Sequence, residues 1–202
     1  MIVTAGSAAV ARLLAAVVAQ DDDGAEAVVA TLTAADEPAL LRLLAHEDED
    51  VQWWALRALG ACGTSVAVAP LLTRLANPAP ELRSVALMAL GRLALRQSEA
   101  LMPHLPQLAT LLADRDGMVR QVAADTLAQC GDRAIPALVD LLRFSTDQGA
   151  RSRAAYALGK IRTMAAAPAL YRCLNDPNYL VHTYAHEALE QMGLLENMLL
   201  LP

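Results

Sequence analysis

The chain has 202 residues, 55% of them apolar and 3% aromatic, and a formal net charge of −6. That apolar content is ample for a continuous core and excludes a disordered or low-complexity chain. The acidic balance argues against general nucleic-acid binding, which rests on neutralising phosphates, and no uninterrupted apolar run reaches the about 20 residues that a membrane span needs.

The acid is concentrated at one end. Residues 1–50 hold Asp21, Asp22, Asp23, Glu26, Asp36, Glu37, Glu47, Asp48, Glu49 and Asp50 against only Arg12 and Arg42. Solvated loops and helix N-termini are the expected use of such a run. The alternative is a basic partner or head-to-tail self-contact. Within this region the apolar stretch 8–19 lacks a preceding basic segment and carries Arg12 inside it, so it reads as a helix rather than a secretion signal. A cytoplasmic protein is expected. Ser7 or a neighbour is the expected N-cap of that helix. Together with AEAVVATLTAAD it makes residues 1–36 a degenerate terminal unit.

From Val51 onward one signature returns: VQWWALRALG, then LRSVALMALG from Leu82, VRQVAADTLA from Val119, ARSRAAYALG from Ala150 and VHTYAHEALE from Val181. The steps are 31, 37, 31 and 31 residues. A fixed period of this size marks a solenoid, in which each unit buries its apolar face against its neighbours. A second landmark interleaves with the first. Pro38, Pro70, Pro106, Pro136 and Pro168 each open a leucine-rich run, and proline suits a first helical turn because its missing N–H has no intrahelical partner there. Each unit therefore holds two helices, and residues 37–193 form the regular repeats.

The columns assign roles. Ala55, Ala86, Ala123, Ala154 and Ala185 stand four residues into each signature, and Leu59, Leu90, Leu127, Leu158 and Leu189 stand eight into it. Leu40, Leu72, Leu108, Leu138 and Leu170 follow the prolines by two. Such spacing makes one apolar helical stripe. The alanines mark helices too close for a larger side chain, so Ala123→Leu should overpack the site by about 1–3 kcal/mol. Gly60, Gly91 and Gly159 follow the leucine column, and Gly63, Gly131 and Gly193 lie beyond it, where the helix is expected to end. Loops such as HEDED and NDPN supply N-caps. Six extra residues in the third step fall near 94–104 and should lengthen a helix or loop. At the far end His186 and Glu190 replace the small or apolar residues of their columns, as in a terminal unit.

The VRxxAAxALG helix followed by the PAL-type helix resembles the short HEAT-like repeats of the phycobilisome-lyase type. The resemblance implies a single all-α domain, a right-handed α-solenoid of about six two-helix repeats with its second helices on the concave side. The family includes bilin lyases, a hydroxylase, DNA-repair glycosylases and scaffolds, so fold leaves function open.

Candidate chemistry is sparse. Cys62, Cys130 and Cys173 share columns with leucine, isoleucine and methionine, and are expected to be inert core thiols in a reducing compartment. His182 and His186 lie four apart on one helix and are the only metal candidates. The family it resembles includes hydroxylases that hold two irons with His-Glu pairs on successive repeats, which would imply such pairs here, but His46-Glu47 and His186-Glu187 stand at non-equivalent positions. No nucleophile–base pair or phosphate loop is visible, so no catalytic residue or cofactor is assigned. Gln52, Arg83, Arg120, Arg151 and His182 form a column at a solvated position. It is expected to bind acids and carbonyls in adjacent inter-repeat loops, for instance Asp116 and Asp147, with a ligand site as the alternative.

Exposed positions on the second helices carry Arg42, Arg74, Thr110, Asp140 and Arg172, a pattern suited to an acidic protein partner. Trp53 stands where the other units have Ser84, Gln121, Ser152 and Thr183. It is either an outward-facing interface anchor or a cover for the N-terminal unit, while Trp54 is expected in the core. The apolar tail 194–202 either caps the solenoid or docks on another subunit. The expected function is a non-enzymatic scaffold that contacts a protein through Arg42, Trp53, Arg74, Asp140, Tyr171 and Arg172. The alternatives implied by resemblance are a bilin-lyase-like or chaperone-like factor for phycobiliproteins and, more remotely, a metal-dependent hydroxylase.

Overall fold

The computed structural model describes residues 7–195, and among these every regular element is a helix. The chain forms two compact units, Met1–Leu101 and Met102–Pro202. The division falls inside the segment where the repeat period is stretched by six residues.

The first unit contains α1 (Ala8–Val18), α2 (Asp22–Val29), α3 (Glu37–Leu43), α4 (Glu49–Cys62), α5 (Val68–Arg74), α6 (Pro80–Ala94) and the short α7 (Ser98–Leu101). The second contains α8 (Leu105–Thr110), α9 (Gly117–Gln129), α10 (Ile135–Phe144), α11 (Gln148–Ile161), α12 (Ala167–Cys173) and α13 (Tyr179–Gln191). Within each unit the long helices lie side by side, α4 with α6, and α9 with α11 with α13. Each short helix packs on the long one that follows it: α3 on α4, α5 on α6, α8 on α9, α10 on α11 and α12 on α13. The extra residues of the stretched period build α7 and a 3₁₀ turn, Met102–His104.

The apolar columns are the core. All five alanines and all five leucines of the signature are 0% exposed. In the proline-led helices Leu40, Leu108, Leu138 and Leu170 are equally buried, and Leu72 nearly so. Full burial of a leucine contributes about 1.5–3 kcal/mol, and the repetition spreads that contribution evenly over both units. Trp54 is buried as expected and meets Trp53 edge-to-face at 5.0 Å. Ser7 caps α1, its side chain accepting from the Val10 N–H.

Three features refine these expectations. Gly60, Gly91 and Gly159, which follow the leucine column, lie inside α4, α6 and α11. Their room is taken by the neighbour: a Cβ on Gly60 would stand 2.9 Å from Ala89 Cα, and one on Gly159 would stand 3.0 Å from Ala188 Cβ. The termini are closed, as expected, by Gly63 after α4, and by Gly131 and Gly193, which take left-handed backbone after α9 and α13. At the end of α11 Arg162 occupies that left-handed conformation at φ 52°.

Second, the N-terminal acids are not all solvated. Asp36 and Glu37 are buried. Asp36 accepts from the Ser7 hydroxyl and from both the Thr33 N–H and its hydroxyl. These bonds, the Ser7 one foremost, hold its carboxyl below the usual carboxylate range. Glu37 accepts from the Thr64 N–H at 2.9 Å and its hydroxyl at 2.7 Å, tying the start of α3 to the loop after α4. Third, only Cys173 is fully buried, whereas Cys62 and Cys130 are half-buried.

Candidate protein-interaction surfaces

The turns that lead into the long helices are built the same way in every repeat. The N–H of the residue before the helix, or of its N-cap, is donated to a polar side chain two residues earlier: Asp48 to His46, Ala79 to Asn77, Asp116 to Asp114, Asp147 to Ser145 and Asn178 to Asp176. These five acceptors recur at the repeat period, a signal present in the sequence that the reading of columns missed. It gives His46 a turn-forming role. Asp48, Asp116, Asp147 and Asn178 then cap α4, α9, α11 and α13 with their own side chains, satisfying otherwise orphaned helix N–H groups.

The arginine column staples the same turns. Gln52 donates to the His46 carbonyl at 2.7 Å. Arg83 donates to the carbonyls of Asn77 and Pro78, and Arg120 to those of Asp114 and Arg115. Arg151 reaches the Leu142 carbonyl and the Asp176 carboxylate. Loop carbonyls and an acid are the partners, as expected, but the acid is Asp176; Asp116 and Asp147 are occupied as helix caps. The column is not solvated throughout either, since Arg83 is buried. A guanidinium in this position fixes loop carbonyls that no helix can satisfy.

The candidate metal residues are set apart. His182 and His186 have ring centroids 6.2 Å apart on α13, and among the described residues no group of three or more His, Cys, Asp or Glu could hold a metal ion. Desolvation pushes all three thiols up to about 11, with Asp36 and Glu37 adding to the effect at Cys62 and Asp176 at Cys173. Among the described residues no helix is long and apolar enough to cross a membrane.

The expected contact residues separate into distinct places. In the first unit Arg42 is exposed on α3, and Arg74 is half-buried on α5. Trp53 is on a long helix, α4, and turns towards α1 and α2 rather than joining the short-helix residues. In the second unit Asp140 on α10 and Arg172 on α12 are exposed, while Tyr171 donates its hydroxyl to the Leu194 carbonyl at 2.9 Å. That bond holds the first residue of the apolar tail against its own α12; positions 196–202 of the tail lie outside the described residues.

Between α10 and α12 runs a groove of about 290 Å³. Val139, Leu142, Ala169 and Cys173 give it apolar walls, and Arg143, Arg172 and Asp176 supply its polar groups. Arg143 lies over the exposed Phe144 ring, 5.4 Å from its centroid. Neither Arg143 nor Phe144 stood out in the sequence, because both fall beyond the repeat columns where α10 runs longer than its equivalents.

Repeated two-helix units, buried alanine and leucine columns and stapled turns define an α-solenoid protein. The chain belongs to the HEAT repeat family: the model for HEAT repeats matches residues 7–91 and 105–192, leaving out the stretched segment between them. No curated protein matches it. Among solved structures it is similar to an engineered protein at 26% identity, covering 91% of this chain and 96% of that one with a TM-score of 0.50. It is also similar in fold to the complex of CpcE and CpcF of phycocyanin lyase from Nostoc (21% identity, 74% of this chain and 98% of that one, TM-score 0.60). The YIBA protein of E. coli gives a third likeness of fold (16% identity, 89% and 68%, TM-score 0.58).

Proposed function

We propose that this protein is a non-enzymatic scaffold that binds another protein through its short helices. The groove between α10 and α12 carries the reading. Its apolar walls offer a partner side chain burial, and Arg143 and Arg172 offer it charge-assisted hydrogen bonds. Exposed arginine and aromatic residues are the usual anchors of interfaces, and Phe144 with Arg143 supplies both at the end of α10. The partner therefore bears a carboxylate beside an apolar side chain. Asp140 and Tyr171 flank the groove on the same two helices, and Arg42 and Arg74 are the corresponding contacts of the first unit. The core uses the inward faces of both helices of each unit, so exposed contact positions can vary without disturbing it.

The likeness to the phycocyanin lyase complex is one of fold. Affinity capture from the native cell with wild-type protein and with the R143E/R172E double variant tests the proposal. Loss of the captured partner in the variant, at unchanged helicity and melting temperature, supports the groove; equal recovery removes it.

A further inference from the structure

We infer that the cavity around Trp53 and Trp54 is a second binding site, taking an arginine side chain from a basic segment of a partner protein. It lies wholly within the first unit and apart from the short helices. Its volume of about 670 Å³ falls in the range of ligand-binding clefts. Val17 and Gln20 at the end of α1 and the two tryptophans form its walls, and Asp22, Asp23, Glu26, Asp50 and Glu81 bring five carboxylates to it.

The acids alone have an ordinary explanation. Asp22, Asp23, Asp50 and Glu81 occupy the first turns of α2, α4 and α6, where negative charge complements the helix dipole. Trp53 has no such explanation. Its column holds serine, glutamine and threonine in the other repeats, yet here a large, half-buried ring lines a cavity and is braced edge-to-face by Trp54. The charge is also unspent. Glu26 pairs with Arg57, but among the described residues Asp22, Asp23, Asp50 and Glu81 have no ion-pair partner. An aromatic face beside free carboxylates selects a cation, and a planar guanidinium can stack on the indole while donating to the acids. An anionic or neutral segment gains neither contact.

These two tryptophans are the only ones in the chain, so its indole fluorescence reports on this cavity alone. Titration of the full chain with a capped tetra-arginine peptide at low salt should give a saturable fluorescence change that weakens as salt is raised. The D22N/D50N double variant should bind about tenfold more weakly. The R143E/R172E variant should bind as the wild type does, which separates this site from the short-helix groove. No saturable change, or undiminished binding by D22N/D50N with an unaltered melt, overturns the site. Equal affinity for tetralysine overturns the assignment of arginine.

Discussion

Gly60 of α4 faces the backbone of Ala89 on α6 so closely that even a methyl group has no place: its Cβ would lie 2.9 Å from Ala89 Cα. Two neighbouring long helices meet there through backbone rather than side chains. In an unconstrained helix interior Gly→Ala stabilises by about 1 kcal/mol through propensity. Here Gly60→Ala must instead push α4 from α6, and a net loss of about 1–3 kcal/mol is expected. Urea unfolding of wild type and variant decides the sign, and a gain in stability would show that the helices have slack.

Asp36 links stability to acid. Its folded carboxyl is held below its ordinary value, first by the Ser7 hydroxyl and then by Thr33. The stabilisation is therefore fully present above the unfolded carboxylate value of about 3.9 and is lost as pH falls through the lowered folded value. Asp36→Asn should remove about 1–2 kcal/mol at pH 7 and flatten the loss of stability below pH ~4. Thermal melts of both proteins between neutral and acid pH measure the effect; parallel curves would exclude it.

The three thiols should be slow nucleophiles. Burial pushes each up to about 11, against an ordinary value of about 8.5. The thiolate fraction at pH 8 is then roughly two hundredfold below that of a free cysteine. Alkylation of native protein with iodoacetamide, followed by mass spectrometry, should leave all three thiols largely unmodified over times that label the urea-unfolded chain completely. Prompt labelling of Cys62 or Cys130, the two half-buried thiols, would show that the native chain opens there.

Arg162 ends α11 in left-handed backbone at φ 52°, a conformation unfavourable to side chains bearing a Cβ by about 1–2 kcal/mol. Its guanidinium donates to the Gln191 side chain at 2.6 Å, but that bond is exposed and contributes little. Arg162→Gly should therefore stabilise the protein by about 0.5–1 kcal/mol. A lower melting temperature would mean that the link to Gln191 outweighs the strain.

Much of the fold was legible because a period of 31 residues repeats both a helix pattern and a proline, and such columns have one physical use. The alanines and leucines are buried where their spacing puts them. Gly63, Gly131 and Gly193 close helices where the pattern puts them, but a glycine straight after the leucine column does not by itself display the neighbouring helix that presses against it. The arginine column was recognisable as a set of loop staples to carbonyls and acids, but which acid is free to pair depends on which ones cap helices: Arg151 takes Asp176, because Asp116 and Asp147 are caps. Arg143 and Phe144 were invisible for a related reason: the length of α10 depends on the shape of the turn that follows it.

Periodicity alone determined the class of architecture and the identity of the core, since burying a repeated apolar stripe requires stacking. Only the tertiary structure decided which exposed residues share a surface. It drew Trp53 away from the short-helix arginines and set it among the carboxylates of three helix starts. The reason is that long-range proximity comes from how helices pack across the repeat, at separations of about 30 residues, whereas the pattern along one helix specifies only which of its faces is turned inward.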